Sequence, residues 1–171
     1  AAPTAGLHFS PALMTSLAAR GVRTTEITLH VGYGTFQPVR EERVEDHRID
    51  AERYDIDSAA ASAINLALSE GRRVVAVGTT TTRALEAAAR RPPARPGEII
   101  QPGASQTDLV ILPGFDFRVV TGLVTNFHLP RSSLLMLVSA FGGHELVMNA
   151  YHVATKERYR FYSYGDAMLI L

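Results

Sequence analysis

Short apolar runs typical of buried strands alternate along this chain with segments that have the apolar spacing of helices. The clearest run is Val74-Val75-Ala76-Val77, which is mostly β-branched and wholly apolar, as expected for a strand covered on both faces. Strands that alternate with helices favour a sheet covered by helices. The sequence therefore predicts an α/β fold with a mostly parallel or mixed sheet, and its 171 residues suffice for one domain with a core.

Local signals set the expected boundaries of these elements, because capping residues open helices and glycine closes them. The predicted helices are 10–20, 57–71, 78–90, 132–141 and 144–158. The predicted strands are 26–31, 53–56, 74–77, 109–112, 122–125 and 167–171. Residues 91–106, with four prolines and two glycines, are predicted to be a loop, and no domain boundary is evident.

Composition excludes several functional classes. The chain has 17 basic and 17 acidic residues, so no overall charge draws it to nucleic acid. It has no cysteine, which excludes disulfides, thiolate nucleophiles and cysteine-ligated zinc, and no histidine spacing suggests another metal site. No apolar run is long enough to cross a bilayer and no secretory signal is evident, so we expect a cytoplasmic protein without a membrane segment.

The segment from Thr125 to Ser133 places polar side chains between an apolar strand-like run and an apolar helix-like run. A turn at such a junction usually consists of glycine, asparagine and aspartate. Here Asn126 and His128 come at the end of the predicted strand, at the carboxyl edge where open α/β sheets bind ligands. We therefore expect Asn126 and His128 at a binding site.

Gly78-Thr79-Thr80-Thr81-Thr82-Arg83 lies at a second junction of a strand and a helix. Free backbone N–H groups at a helix start, with threonine hydroxyls beside them, form a site for a phosphate or a carboxylate. Arg83, one turn into the helix, would hold the same anion with its guanidinium. The alternative is a tight turn with threonine capping and an exposed arginine, and the sequence favours neither.

Three histidines share one kind of position, since His8, His30 and His128 each lie at a predicted element end beside glycine, threonine or asparagine. A single histidine between apolar residues is usually structural. Three such ends, however, would meet at one edge of a sheet. Glu45 and His47 place a carboxylate near an imidazole, which suits acid–base chemistry, although a solvated charged loop is the simpler interpretation.

Two more segments carry weaker signals. The stretch from His30 to Phe36 contains Gly32 and Gly34 but lacks the third glycine of a dinucleotide-binding loop, so a turn after a strand is favoured. The stretch from Tyr159 to Asp166 mixes arginine with aromatic residues. Such a surface stacks on purine rings, but ordinary aromatic packing explains the composition more simply.

Taken together, these segments resemble the S-adenosylmethionine:tRNA ribosyltransferase-isomerase family of queuosine biosynthesis. The resemblance covers the whole chain in order, in near-identical blocks. The blocks are Ala1–Phe9, Leu29–Gly32 with Gly34–Phe36, Glu45–His47, Val77–Thr80 with Arg83, Pro113–Phe115, Leu123–Pro130, Ser139–Phe141, and Tyr159–Phe161 with Ser163–Met168. The sequence departs from the family at Ile49 and Asp50, where the family usually has a second histidine and a methionine.

The resemblance implies a transferase and isomerase that consumes S-adenosylmethionine as a ribosyl donor and needs no other cofactor. The implied acceptor is a 7-aminomethyl-7-deazaguanine base at the wobble position of certain tRNAs. Epoxyqueuosine, adenine and methionine are then the products. The resemblance also implies a cytoplasmic monomer. Because proteins of this family are longer, we expect the chain to be their C-terminal half, without the inserted β-barrel domain.

The acid–base residues follow from the same resemblance. The sulfonium acidifies the adjacent C–H, so the reaction requires a positioned base, and adenine leaves more readily when protonated. We expect His8, His30 and His128 to supply these groups. Asp166 and Asn126 are expected to orient other groups at the site.

The expected substrate contacts also come from the family motifs. We expect the carboxylate of the methionine moiety at Thr79, Thr80 and Arg83, and the adenine ring against Phe36 or Tyr164. No metal ligand is expected. The full set of expected substrate-binding residues is Thr4, Gly6, Gly32, Gly34, Thr35, Phe36, Glu45, His47, Gly78, Thr79, Thr80, Arg83, Asn126 and Tyr164.

Two other functions stay open at the level of sequence. A non-catalytic fragment would bind tRNA or a protein partner without S-adenosylmethionine chemistry. A methyltransferase that uses S-adenosylmethionine is disfavoured, because Gly32-Tyr33-Gly34 lacks the context of a glycine-rich first loop. The products separate these classes, since methyl transfer leaves adenosylhomocysteine and ribosyl transfer leaves free adenine.

Overall fold

Two three-stranded sheets and five α-helices form the framework of the part of the chain that the structure describes. The computed structural model describes residues 2–32, 39, 41, 43–93 and 96–171. The strands are β1 (Thr28–His30), β2 (Glu52–Ile56), β3 (Val75–Val77), β4 (Gly103–Thr107), β5 (Gly122–Asn126) and β6 (Ala167–Ile170). The helices are α1 (Pro11–Ala19), α2 (Ser58–Ser69), α3 (Thr79–Ala88), α4 (Ser133–Gly142) and α5 (His144–Lys156).

The two sheets differ in strand direction. In the first sheet, with strand order β1-β2-β4, both pairs are antiparallel. In the second sheet, with strand order β3-β5-β6, β3 runs parallel to β5 and β6 runs antiparallel to it. Helix α3 contacts β1 and β4 of the first sheet and β3 and β5 of the second. It therefore joins the two sheets, and its first turn lies where they meet.

Side-chain caps begin three of the helices at the residues that the sequence indicated. Ser10 accepts a hydrogen bond from Leu13 N at 3.2 Å, and Asp57 accepts one from Ala60 N at 2.7 Å. Ser132 does the same for Leu135 N at 3.2 Å. Each cap satisfies one of the backbone N–H groups that a helix start leaves without a partner. These caps confirm the predicted starts of α1, α2 and α4.

The α/β class is confirmed, and of the two forms that the prediction left open the sheets are mixed. Two local predictions were wrong. The predicted loop 91–106 contains most of β4, a largely polar strand that pairs with β2 from Glu52↔Thr107 to Ile56↔Gly103. The predicted strand 109–112 is not a strand, because the Leu109 carbonyl accepts a hydrogen bond from Arg83 Nε at 3.0 Å instead of from a neighbouring strand.

One cluster of buried apolar side chains connects both sheets with the helices that cover them. Tyr54 and Ile56 enter it from β2, and Leu123 enters it from β5. At the edge of this core lies the buried carboxylate of Glu86. It accepts hydrogen bonds from the backbone N–H groups of residues 118–120 at 2.9–3.0 Å. This packed core holds the end of β5 and the start of α3 at fixed positions relative to each other.

Candidate active site

A cavity of about 320 Å³ opens where five parts of the fold converge. These parts are the 3-10 turn Thr4–His8, β1, the first turn of α3, the end of β5 with the segment that follows it, and the loop that contains Tyr162 and Ser163. Because β3 and β5 are parallel, their carboxyl ends meet at the same edge of the sheet. The cavity lies at that edge, as the sequence predicted for Asn126 and His128, and its volume is at the lower end of the range for small-molecule sites.

His128 is buried in the wall of this cavity and carries no charge at neutral pH. Its Nε2 lies 2.7 Å from the hydroxyl of Thr125, and its backbone N–H donates to Tyr151 Oη at 2.8 Å. Burial lowers the pKa of the imidazole from 6.5 to about 4, because a desolvated imidazolium is disfavoured. No described residue hydrogen-bonds to Nδ1, so this nitrogen is available to a bound molecule.

The depressed pKa of His128 predicts that the protein loses stability in mild acid. The unfolded state binds a proton near pH 6.5 and the folded state does so only near pH 4, so the stabilisation is complete above pH 6.5 and is lost as the pH falls toward 4. The difference corresponds to about 3 kcal/mol. Urea unfolding at pH 7.5 and pH 4.5 measures how much free energy of unfolding each protein loses between the two pH values. We expect this loss to be about 2–3 kcal/mol larger in the unaltered protein than in His128→Asn. Equal losses in the two proteins would contradict a buried neutral imidazole.

Tyr151 fixes the backbone at His128 from α5. Burial raises the pKa of its hydroxyl to about 12, and the hydrogen bond from His128 N opposes that change. Its ring packs edge-on to Phe127 at 5.3 Å and Phe161 at 5.6 Å between centroids. The segment after β5 is therefore held by both an aromatic cluster and a buried hydrogen bond.

Tyr151→Phe should destabilise the protein by about 1–3 kcal/mol, because the buried N–H of His128 would lose its acceptor while the ring stays in place. Urea unfolding measures this difference. Tyr159→Phe is the matched control, since Tyr159 packs on Phe127 in the same cluster but is about half exposed, and its hydroxyl has no acceptor or donor among the described residues. We expect the control to change stability by less than about 0.5 kcal/mol. Equal effects would show that the hydroxyl of Tyr151 contributes nothing.

Asn126 is buried at the end of β5 and connects two other segments to the site. Its Nδ2 lies 3.3 Å from His8 Nε2 and donates to the carbonyl of Gly165 at 3.3 Å. His8 itself is exposed at the end of the 3-10 turn, in which Thr4 lines the cavity and the Gly6 carbonyl accepts from Phe9 N. The structure thus brings the His8 side chain to Asn126, which lines the same cavity as His128.

The first turn of α3 contributes backbone N–H groups and hydroxyls to the cavity. Gly78 precedes the helix with φ +98°, a left-handed conformation that glycine adopts without strain, and none of the described side chains caps the helix. Thr79 and Thr80 line the cavity, and the Thr79 side chain is almost fully buried with no hydrogen-bond partner among the described residues. The hydroxyls of Thr81 and Thr82 bond back to the carbonyls of Val77 and Gly78. This arrangement suits an anion.

Arg83 pairs with a residue that lies outside the cavity wall. Its buried guanidinium does not line the cavity, and its Nη1 donates to Glu52 Oε2 at 2.9 Å. Burial lowers the pKa of the Arg83 guanidinium, and the charge of Glu52 opposes the shift. Glu52 also accepts a hydrogen bond from Gly32 N at 2.8 Å. Arg83 thus forms a buried ion pair with Glu52, which also binds the Gly32 N–H, and the role of Arg83 as an anion ligand stays a prediction.

Three other predicted residues lie away from the cavity wall. His30 is exposed on β1, where it is the register partner of Arg53 on β2. Glu45 is exposed and lies 3.8 Å from the Arg43 guanidinium. His47 is buried, with Nδ1 3.0 Å from the carboxylate of Glu41, which lines a different cavity together with Val44. The structure therefore does not bring these residues together with His128. Gly34, Thr35 and Phe36 lie outside the described residues.

Asp166 and Tyr164 have positions other than those expected. The Asp166 carboxylate accepts a hydrogen bond from Arg160 N at 2.7 Å, and the Asp166 N–H donates to the Arg160 carbonyl, so this residue closes a loop and does not line the cavity. Tyr164 is 81% exposed and also lies outside the cavity wall. Tyr162, two residues earlier, lines the cavity in its place.

Sequence reasoning missed four residues that build this site: Thr125, Tyr151, Tyr162 and Glu52. The spacing of Thr125 three residues before His128 was visible, but nothing in the sequence paired the two side chains. Glu52 had a usable signal, because it shares the inward-facing side of β2 with Tyr54 and Ile56. A charged residue at an inward position of an apolar strand indicates a buried partner.

The part of the chain that the structure describes contains no group of three or more histidine, aspartate and glutamate side chains placed to hold a metal ion. None of its helices combines the length and the apolar character needed to cross a membrane.

Comparison with known proteins supports one family. The family model described as "Queuosine biosynthesis protein" matches residues 1–170. A curated relative from Carboxydothermus hydrogenoformans is 53% identical over the whole chain, and one from Pelobacter propionicus is 58% identical over 99% of it. Both are named S-adenosylmethionine:tRNA ribosyltransferase-isomerase, and the chain covers 49% and 48% of their lengths.

A solved structure agrees with these relatives. The crystal structure of an S-adenosylmethionine tRNA ribosyltransferase from Thermotoga maritima superimposes with a TM-score of 0.79 at 45% sequence identity. The match covers 98% of this chain and 51% of that protein. The chain thus spans about half the length of the proteins it matches. With a family model matching nearly every residue, the chain belongs to the queuosine biosynthesis protein family.

Proposed function

We propose that this chain carries the S-adenosylmethionine site of a tRNA ribosyltransferase-isomerase. The observation that carries the proposal is the cavity at the β3–β5 edge, which combines a buried neutral histidine with an uncapped helix start. The names of the relatives supply the reaction class. In this proposal S-adenosylmethionine donates its ribosyl moiety to an aminomethyl-deazaguanine base of tRNA, and adenine and methionine are released.

The first turn of α3 is proposed to bind the carboxylate of the methionine moiety. Backbone N–H groups at a helix start attract anions through their partial positive charge, and hydroxyls add hydrogen bonds. Gly78, Thr79 and Thr80 provide these groups within the cavity, without any contribution from Arg83.

No described side chain in the cavity wall carries a charge that would repel a cationic substrate. None of the described residues that line the cavity is aspartate, glutamate, lysine or arginine. The neutral form of His128 places no positive charge next to the sulfonium of S-adenosylmethionine, whereas an imidazolium would repel it. The same neutral form has a nitrogen lone pair with which to accept a proton.

His128 is proposed to act first as the base. Nδ1 is the nitrogen without a hydrogen-bond partner among the described residues, so the proton from the C–H next to the sulfonium would go there. The Nε2–H would then donate to Thr125 Oγ1, which fixes the required tautomer. Because burial disfavours the imidazolium, the proton that His128 removes would pass on readily to the leaving adenine.

The remaining features of the proposed function come from the family. The acceptor is proposed to be tRNA with 7-aminomethyl-7-deazaguanine at the wobble position, and the enzyme is proposed to act as a monomer in the cytoplasm, where its tRNA substrate is available. S-adenosylmethionine is consumed as a co-substrate. His8, which lies 3.3 Å from Asn126, is the second histidine that we assign to this site.

A second candidate function is a non-catalytic fragment that binds tRNA or a partner. It is favoured by one observation, namely that the chain covers only 48–49% of the Carboxydothermus and Pelobacter relatives. Under this alternative the cavity would be occupied only when the remaining half of such a protein is present.

Release of adenine tests the proposal directly. The assay compares this chain with a completed protein, in which the chain is joined to the part of the Carboxydothermus hydrogenoformans relative that it does not cover. Each is incubated with S-adenosylmethionine, with and without tRNA that carries the aminomethyl-deazaguanine base. We expect adenine release that depends on this tRNA from both the chain and the completed protein. Release from the completed protein alone would favour the fragment, and adenosylhomocysteine in place of adenine would overturn the proposed reaction.

A further inference from the structure

The loop from Arg160 to Asp166 holds Tyr162 in an uncommon backbone conformation. Its φ is +75°, in the left-handed region that residues other than glycine, asparagine and aspartate seldom adopt. A bulky side chain is strained there, and such strain persists only where the surrounding structure enforces it. Glycine would remove the strain, so the tyrosine side chain requires its own explanation.

Four hydrogen bonds enforce this conformation. The Tyr162 N–H donates to the carbonyl of Phe127 at 2.8 Å, and its carbonyl accepts from Gly165 N at 3.0 Å. Asp166 closes the loop, since its N–H donates to the Arg160 carbonyl and its carboxylate accepts from Arg160 N, both at 2.7 Å. A Cβ at Gly165 would collide with the Arg160 carbonyl, so the loop tolerates only glycine there. The loop therefore presents Tyr162 in one defined way.

Core packing does not account for the Tyr162 ring. Tyr162 is 46% exposed, and it belongs to none of the aromatic ring pairs that the structure describes, although Phe127, Tyr159 and Phe161 nearby form several. Instead it lines the cavity beside Ser163. A strained, half-exposed aromatic residue in a cavity wall is placed for contact with a bound molecule.

We propose that the adenine ring of S-adenosylmethionine stacks on Tyr162. This inference rests on the proposed function, because it requires S-adenosylmethionine in the cavity. The molecule has a charged amino-acid end and a flat purine end. The helix start at Thr79 and Thr80 suits the carboxylate of the amino-acid end. The Tyr162 ring suits the purine end, because it is the one aromatic ring besides the His128 imidazole among the described side chains of the cavity wall. Tyr162 thus replaces Tyr164 as the aromatic contact.

Binding of S-adenosylmethionine to variants of the completed protein tests this assignment. Tyr162→Phe keeps the ring and should bind like the unaltered protein. Tyr162→Leu and Tyr162→Gly remove the ring and should bind about 10- to 100-fold more weakly. Tyr164→Leu is the matched variant, because it makes the same change two residues away on a side chain outside the cavity, and it should bind normally.

Unfolding in urea separates a contact with substrate from a structural role. Tyr162→Gly removes the backbone strain, so its urea midpoint should equal or exceed that of the unaltered protein although its binding is weaker. A lower midpoint with unchanged binding would overturn the inference in favour of a packing role.

The remaining outcomes distinguish this inference from the proposed function. Normal binding of S-adenosylmethionine by Tyr162→Leu would overturn the stacking contact and leave the proposed function standing. If that variant loses tRNA binding but still binds S-adenosylmethionine, the ring contacts a tRNA base, and the stacking contact with adenine is also overturned. If the unaltered completed protein does not bind S-adenosylmethionine, both the inference and the proposed function fail.

Discussion

Replacing His128 by asparagine should lower the rate of adenine release by the completed protein about 100-fold or more. A positioned base contributes about 10²- to 10⁴-fold to a proton transfer. Asparagine has nearly the size of the imidazole and can still hydrogen-bond to the Thr125 hydroxyl, but it has no basic nitrogen. The loss should therefore be one of proton transfer, with the cavity and the fold retained. Single-turnover kinetics at saturating S-adenosylmethionine measure this rate.

Two comparisons make the His128 result specific. His152→Asn is the matched control, because it makes the same change on an exposed histidine of α5 that lies outside the cavity wall, and its rate should stay within twofold. Binding of S-adenosylmethionine to His128→Asn should change only a few-fold, since the imidazole is neutral in the free protein. A His128→Asn rate above one tenth of the original would exclude this histidine as the base.

The elements that the sequence predicted well are those with local causes. The caps at Ser10, Asp57 and Ser132 act within one helix turn, so the sequence alone locates the helix starts. β4 has no such signal, because it is a largely polar stretch among prolines and glycines. Its strand conformation depends on pairing with β2, some 50 residues earlier in the chain. Pairing of this kind is not encoded in the spacing of apolar residues.

The candidate site shows the same division. That His128, Asn126 and the start of α3 would share one edge could be predicted, because the carboxyl ends of parallel strands meet. The direction of each side chain could not. Arg83 follows the right turn for an anion ligand, yet its guanidinium pairs with Glu52 on β2. Which residue forms an ion pair with a buried charge depends on the tertiary fold and cannot be deduced from the local sequence.

The aromatic segment illustrates a further limit of sequence reasoning. Tyr162 and Tyr164 are chemically identical and two residues apart, and in an extended strand they would share one face. The left-handed conformation at Tyr162 and the tight contact at Gly165 break that pattern. As a result one tyrosine faces the cavity and the other faces solvent. The composition of the segment indicated a surface for stacking, but the geometry of the loop determines that Tyr162, and not Tyr164, lines the cavity.

The second large effect concerns stability and involves the buried ion pair between Glu52 on β2 and Arg83 on α3. Glu52 and Arg83 are both about 95% buried, and the carboxylate also holds the Gly32 N–H. Removal of one partner from a buried pair leaves an uncompensated charge, which typically costs about 3–5 kcal/mol. Glu52→Gln keeps the shape and the acceptor for Gly32 but removes the negative charge. We expect it to lower the free energy of unfolding by about 3 kcal/mol, at the low end because Asp108 also attracts Arg83.

Urea unfolding of three variants tests this expectation. Glu70→Gln is the matched control, because it makes the same change in an exposed pair with Arg72 and should cost less than about 1 kcal/mol. Glu52→Gln combined with Arg83→Met should recover most of the loss, since neither position of the pair then carries a buried charge. A double variant as unstable as Glu52→Gln would show that the hydrogen bonds of Arg83, and not its charge, stabilise the fold. Burial lowers the pKa of Arg83 even beside Glu52, so the guanidinium charge should be costlier still once the Glu52 charge is removed.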